Sequence, residues 1–237
     1  MLMLLLACTP DFEPVSCDDV DHHCLQGQIL DSIGRGLEGA EICNLDDPDL
    51  ACALTDRDGG FQMPGLPTRG RLTFLTELEG FQSVIDPHQA ELLPRTQWEA
   101  YMVADKLAEV QKDNFLVPVD DVDMGFLIVD LGHMTREDPI GWTHIQDGTL
   151  SIASGGDTTV MYLNSLYIPD EDLEGTTGTG FVAVANVPPG EVRVRAGGPA
   201  GPCEGNLQGW DFEPGEAAVA PIAAGVSTYF ALDCPME

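Results

Sequence analysis

GQILDSIGRGLEGAEIC, residues 27–43, and TDRDGGFQMPGLPTRGRLTFLTELEGF, residues 55–81, are short apolar runs cut by Gly, Pro and Asp. Runs of four to eight residues at that spacing are the pattern of an all-β sandwich or barrel. Leu72, Phe74 and Thr76 alternate with Arg71, Thr73 and Leu75, as in a strand with two unlike faces. Gly59-Gly60 supplies the positive φ angles of a tight turn. Between the two stretches, Cys43 and Cys52 flank the turn-rich Asn-Leu-Asp-Asp-Pro-Asp-Leu-Ala, so they face each other across a hairpin.

The pattern returns. Gly60-Phe61-x8-Gly70 recurs as Gly180-Phe181-x8-Gly190, and Thr176-Thr177-Gly178-Thr179 mirrors the Thr-Asp turn at 55–58. Asn186-Val187-Pro188-Pro189 mirrors Gly65-Leu66-Pro67, and Val192 and Val194 alternate with Arg193 and Arg195. Phe126-Leu127-Ile128-Val129 reads as the opening strand of this second unit, with Leu150-Ser151-Ile152 and Val160-Met161-Tyr162-Leu163 as inner strands. The chain therefore reads as two tandem antiparallel β-sandwiches from one ancestral unit, at 25–95 and, in divergent form, at 119–237. Residues 96–118 read as a helix and linker. Thr96-x-x-Glu99 is a capping box, no Gly or Pro interrupts 97–114, and Ala100, Val103, Ala104, Leu107 and Val110 line one helical face. That helix is expected to pack between the sandwiches.

Gly27-x-Ile29-x-Asp31, Gly39-Ala40, Thr55-Asp56-x-Asp58-Gly59-x-Phe61, Leu66-Pro67 and Gly80-Phe81 occur in the order found in the carboxypeptidase regulatory-like domain, which the stretch 25–85 resembles. The resemblance implies a seven-stranded, transthyretin-like (prealbumin-like) sandwich and a non-catalytic accessory role. A fold alone does not assign chemistry.

Composition narrows the function class. In 237 residues, 43% hydrophobic content is that of a globular protein. Forty acidic against ten basic side chains give a formal charge of −30, which repels phosphate backbones and excludes nucleic acid as a partner. Beyond the first residues, no apolar run approaches the ~18 needed to span a bilayer.

Leu5-Leu6-Ala7-Cys8 closes an all-apolar start and resembles a bacterial lipoprotein signal, with residues 1–8 as signal and lipidation site. The resemblance implies an acylated Cys8 that anchors the chain to a membrane, since two acyl chains already hold stably. Thr9 in place of Asp implies the outer membrane by the lipoprotein sorting rule. Residues 9–24, rich in Pro, Asp, Glu and Ser, read as an acidic tether. With Cys8 set aside, six cysteines remain, and local spacing pairs Cys17 with Cys24, Cys43 with Cys52 and Cys203 with Cys234. Such bridges persist outside the cytosol.

The constellations that could carry chemistry are thin. His88-x-x-Glu91 matches the H-x-x-E of zinc carboxypeptidases but lacks a third ligand and a catalytic domain, and reads as a loop pair after Pro87. Asp18-Asp19-x-Asp21-His22-His23 reads as solvated tether. Asp56-x-Asp58-Gly59 lacks the remaining ligands of a calcium loop and reads as a structural turn. His133 and His144 read as separate loop histidines, and no G-x-S-x-G elbow occurs. Trp142 and Trp210 sit in Gly- and Asp-rich sequence, where exposed rings would stack on sugars. The expectation is a non-enzymatic, lipid-anchored cell-envelope protein with no metal and no cofactor. Its two sandwiches would meet a protein or glycan partner, and the alternative is a carbohydrate-binding module using the loop tryptophans.

Overall fold

The computed structural model describes residues 23–92, 98–134, 142–153, 158–203 and 218–236. The first half contains β1 (His23–Asp31), β2 (Glu41–Asn44), β3 (Ala53–Leu54), β4 (Gly60–Leu66), β5 (Arg71–Glu77), β6 (Val84–Gln89) and β7 (Trp98–Met102), followed by helix α1 (Asp105–Asp113). The second contains β8 (Gly125–Met134), β9 (Trp142–His144), β10 (Thr149–Ala153), β11 (Thr159–Leu163), β12 (Pro169–Asp170), β13 (Phe181–Val187), β14 (Gly190–Gly198), β15 (Gly201–Pro202), β16 (Ala218–Ile222) and β17 (Ser227–Asp233). The protein is all-β with a single α-helix among the described residues.

Three sheets result. β4-β1-β7 is one, and β10-β14-β15, with β16 also on β14, is another. The third is ten-stranded, in the order β12-β11-β13-β8-β17-β6-β5-β2-β3 with β9 on the end of β8. Strand alternation distributes the cores. Leu72 and Phe74 of β5 join Leu25, Ile29, Phe61 and Trp98 under the first small sheet. Leu127, Val129 and Leu131 of β8 join Val192, Val194 and Ala220 under the second. The intervening residues of the long sheet, Phe126 and Ala183, pack with Phe115 instead.

Register places these cores on opposite faces. Thr228 pairs with both Ile85 and Leu127, whereas the next residue along, Tyr229, pairs with Ile128. Phe74 pairs with Asp86. Because side chains alternate between faces, Phe74, Asp86, Tyr229 and Ile128 share one face, and Ile85, Thr228 and Leu127 share the other. The two small sheets therefore cover opposite faces at opposite ends of the long one. Thr228 reaches through its face to the Pro221 carbonyl of β16, and Arg71 pairs with Glu191 of β14 on that side.

One hydrogen-bond pattern occurs twice. The Thr55 hydroxyl donates to Leu37 O and accepts from Ala40 N–H, and Gly39 N–H and Ala40 O are bonded to the Thr55 backbone. The Thr176 hydroxyl donates to Ile145 O and accepts from Gly148 N–H, with Asp147 and Gly148 bonded in the same way to its backbone. In both turns a glycine of positive φ, Gly59 or Gly180, presents its carbonyl to the strand below, at Ile29 and Leu131. The structural equivalence thus runs Gly59 to Gly180, one residue out of step with the Gly60-Phe61 and Gly180-Phe181 match in the sequence. A Cβ at Gly59 or Gly180 would collide with the carbonyl of Ile29 or Leu131. Gly59→Ala and Gly180→Ala are each expected to lower the unfolding free energy by about 1–3 kcal/mol. Urea titrations check this, with Gly178→Ala, where a Cβ meets nothing, as the neutral control.

The helix is shorter and later than the sequence pattern indicates. Residues 98–102 form a strand, Trp98, Ala100 and Met102 buried and Glu99 and Tyr101 exposed, paired in parallel with β1. Period two wins there because β1 leaves an open edge, and the spacing of Ala100, Val103 and Ala104 is coincidental. Thr96 of the expected capping box lies outside the described residues, and Glu99 is on the strand. Ala104 caps the helix in extended backbone without a side-chain bond. Ala108 and Gln111 are its buried residues, Val110 is exposed, and Gln111 donates to the Tyr167 carbonyl. The helix meets both halves, because Lys112 donates to Gln82 and pairs with Asp121, and Asp105 N–H donates to the Gly80 carbonyl. The halves are joined through β17 and β6, which pair in parallel over only Ser227–Val84 and Thr228–Ile85.

Candidate functional site

Asp130 interrupts the apolar run of β8, and the fold buries it. Its Oδ1 lies 3.0 Å from His144 Nδ1 on β9, and its Oδ2 accepts the Tyr229 hydroxyl of β17 at 3.1 Å. Tyr229 stacks near Phe181, which also contacts His144 and Tyr167. Asp86 lies on the same face and is 1% exposed, with neither carboxyl oxygen hydrogen-bonded. Burial pushes its pKa up to about 8, so at pH 7 it is a neutral acid, as expected where solvation of the charge is lost. Burial, then the Asp130 charge, holds the Tyr229 phenol well above its ordinary range.

The hydrogen bond to Asp130, opposed by burial, raises the His144 pKa. A His–Asp pair can orient an acid–base catalyst, but here both oxygens of Asp130 are spent holding β9 and β17 to β8. The nearby hydroxyls of Thr177 and Thr179 bond to each other and to the Leu163 carbonyl. Because the folded pKa of His144 exceeds its unfolded value, the pair stabilises fully below about pH 6.5 and is lost as pH rises through the folded value. An NMR titration should place the His144 midpoint above that of an exposed histidine. Asp130→Asn should bring it back down, and an unchanged midpoint would refute the pairing.

Among the described residues, those singled out in the sequence do not converge. His88 is buried on β6 among Phe74 and Trp98, not in a loop, and Glu91 accepts the Gly70 N–H. His133 and His144 are likewise on strands rather than loops, and each meets a carboxylate, His133 with Asp233 at 2.9 Å. Asp56 Oδ1 accepts from Asp58 and Gly60 N–H groups, the turn geometry expected of it. Cys43 is bonded to Cys52 and Cys203 to Cys234. Cys24 is also disulfide-bonded, while Cys17, Cys8, Trp210 and Asp18 to His22 lie outside the described residues. Glu41, Cys43 and Cys52 are the one close group of ligand-type side chains among the described residues, but the oxidised pair offers no thiolate.

Trp142 is on β9, half-buried, and not a loop platform. Its ring lies on Gly132 so closely that a Cβ there would collide with it, and Nε1 is buried without a hydrogen-bond partner. Sequence reasoning missed Asp86 and Asp130. The signal for Asp130 is an acid inside Phe-Leu-Ile-Val-Asp-Leu, whereas Asp86 before Pro87 looks like any turn residue.

No protein-family model matches the chain, and no curated protein matches it. Among solved structures it is similar to the Bacillus anthracis TIE protein at 11% identity and TM-score 0.28, covering 90% of this chain and 33% of that one. It is also similar to GBS52, the minor pilin of Streptococcus agalactiae, at 9% identity and TM-score 0.27, covering 90% and 96%. A DUF3823 family protein from Parabacteroides merdae gives 13% identity and TM-score 0.24, covering 86% and 98%. The chain thus spans a third of the first of these. Likeness at this level carries no functional argument. Among the described residues, no helix is long and apolar enough to cross a membrane.

Proposed function

We propose that this chain is a non-enzymatic cell-envelope protein, anchored through acylated Cys8, that presents two β-sandwich units for a structural or recognition role. In this reading the first unit is of the carboxypeptidase regulatory-like type, and the second is its divergent copy. The observation that carries the reading is the pair of disulfides, Cys43–Cys52 and Cys203–Cys234, which belong to an oxidising compartment. Spent polar groups support the non-enzymatic part: Asp56, Thr55 and Thr176 serve turns, and Asp130 serves strand packing. Metabolic labelling with a fatty-acid analogue tests the anchor. Label on the wild type and none on Cys8→Ser is expected, and equal labelling of both removes the lipid. Cell fractionation of the Cys8→Ser variant then separates loss of the anchor from a wrong compartment, because the variant should be released with its disulfides intact.

A further inference from the structure

We propose that the fork where β6 parts from β17 is a proton-operated latch: with Asp86 protonated the two strands stay paired, and loss of that proton opens the pairing that joins the halves. The geometry is specific. Pairing runs through Ser227–Val84 and Thr228–Ile85 and stops, so Asp86 and Tyr229 are the first residues beyond the last pair. The carboxyl at that fork is buried with both oxygens unpartnered. A neutral carboxyl tolerates this at modest cost, whereas an isolated ionised one does not.

Among the described residues, no side chain donates a hydrogen bond to Asp86. From β17 comes Tyr229, whose proton is already committed to Asp130 of β8, and Asp130 is itself shared with His144 of β9. From β7, Tyr101 gives its hydroxyl to Glu99. From β5 the partner is Phe74, and along β6 the same face carries His88, packed on Phe74 and Trp98. An ionised Asp86 would therefore share a buried face with a second carboxylate. Opening the fork to water relieves it, so protons hold the latch closed. Further links between the halves, among them Arg71–Glu191, Gln82 to the Gly225 carbonyl and Gln111 to the Tyr167 carbonyl, do not involve the fork residues and survive this opening.

The direction of the pH response follows. The closed fork binds a proton up to about pH 8, and the open fork releases it near the ordinary aspartate value of about 4. Opening should then increase by about tenfold per pH unit between those limits and level off above them. Hydrogen exchange on the full chain between pH 5 and 8, corrected for the intrinsic rate, reads this directly. Amides of 83–86 and 227–229 should lose protection at about that slope relative to amides of β1 and β4. Asp86→Asn, which keeps the shape and cannot ionise, should remove the slope. A flat response in the wild type, or an equal slope in the Asn variant, overturns the proposal. Infrared spectroscopy of the wild type gives a second reading that needs no variant. A protonated-carboxyl stretch at pH 7 that fades by pH 9 is required, and its absence at pH 7 overturns the latch.

Discussion

Removing the Cys203–Cys234 bridge with paired alanines is expected to lower the unfolding free energy by about 3–4 kcal/mol, more than any surface substitution. The bridge closes a sequence separation of 31 residues, against 9 for Cys43–Cys52. Chain-entropy loss grows with the logarithm of that length, giving roughly 3.7 against 2.6 kcal/mol. Both sulfurs of the longer bridge are buried in the second core, and Cys234 N–H donates to the Gly132 carbonyl at 2.7 Å, fixing the end of β17 against β8. Losing the bridge should therefore free this end of the strand as well as the unfolded chain. Guanidinium titrations of Cys203→Ala/Cys234→Ala and Cys43→Ala/Cys52→Ala check the order. If the shorter bridge costs more, loop entropy is not the governing term, and the hairpin between β2 and β3 depends on its covalent tie.

What could be read in the sequence is what depends on neighbours along the chain. The Thr-Asp-x-Asp-Gly turn is local and stands in the structure. Leu72, Phe74 and Thr76 are buried as their alternation indicates, although Thr73 on the opposite face is buried too because the long sheet is covered there as well. Thr55 and Thr176 were visible as repeated letters, but their role in bridging two loops is set by residues fifteen and more positions away. The strand at 98–102 was lost to a helical reading because Trp-Glu-Ala-Tyr-Met satisfies period two only when β1 is there to receive it. The long sheet is invisible for the same reason: the β17 to β6 pairing joins residues far apart along the chain. Asp86 illustrates the limit. Its burial follows from that sheet and from Phe74, and nothing beside it in Val-Ile-Asp-Pro announces it. Trp142 shows the reverse error, a residue in polar sequence that the fold folds down onto Gly132.

Phe74→Ala should have the largest effect of any single substitution in the first half, about 3–5 kcal/mol. The ring is fully buried and stands 5.6 Å from His88 and 5.7 Å from Trp98, which in turn meets Phe61 edge-on. These side chains come from both sheets of the first core, so removing the ring takes away the contact between layers and leaves a cavity that packed strands cannot collapse. Phe74→Leu keeps most of the volume and should cost less than about 1.5 kcal/mol. A calorimetric comparison that finds the two equal would mean the site relaxes freely. The cavity has a second consequence, because Phe74 is the register partner of Asp86. Water admitted beside that carboxyl would solvate its charge and lower its pKa toward the ordinary aspartate value. In the wild type, the raised folded pKa makes stability fall as pH climbs from about 4 toward about 8. Phe74→Ala should therefore be less stable at every pH yet lose less between pH 5 and 8 than the wild type does. A parallel pH slope in both proteins would show that Asp86 is desolvated by something other than this ring.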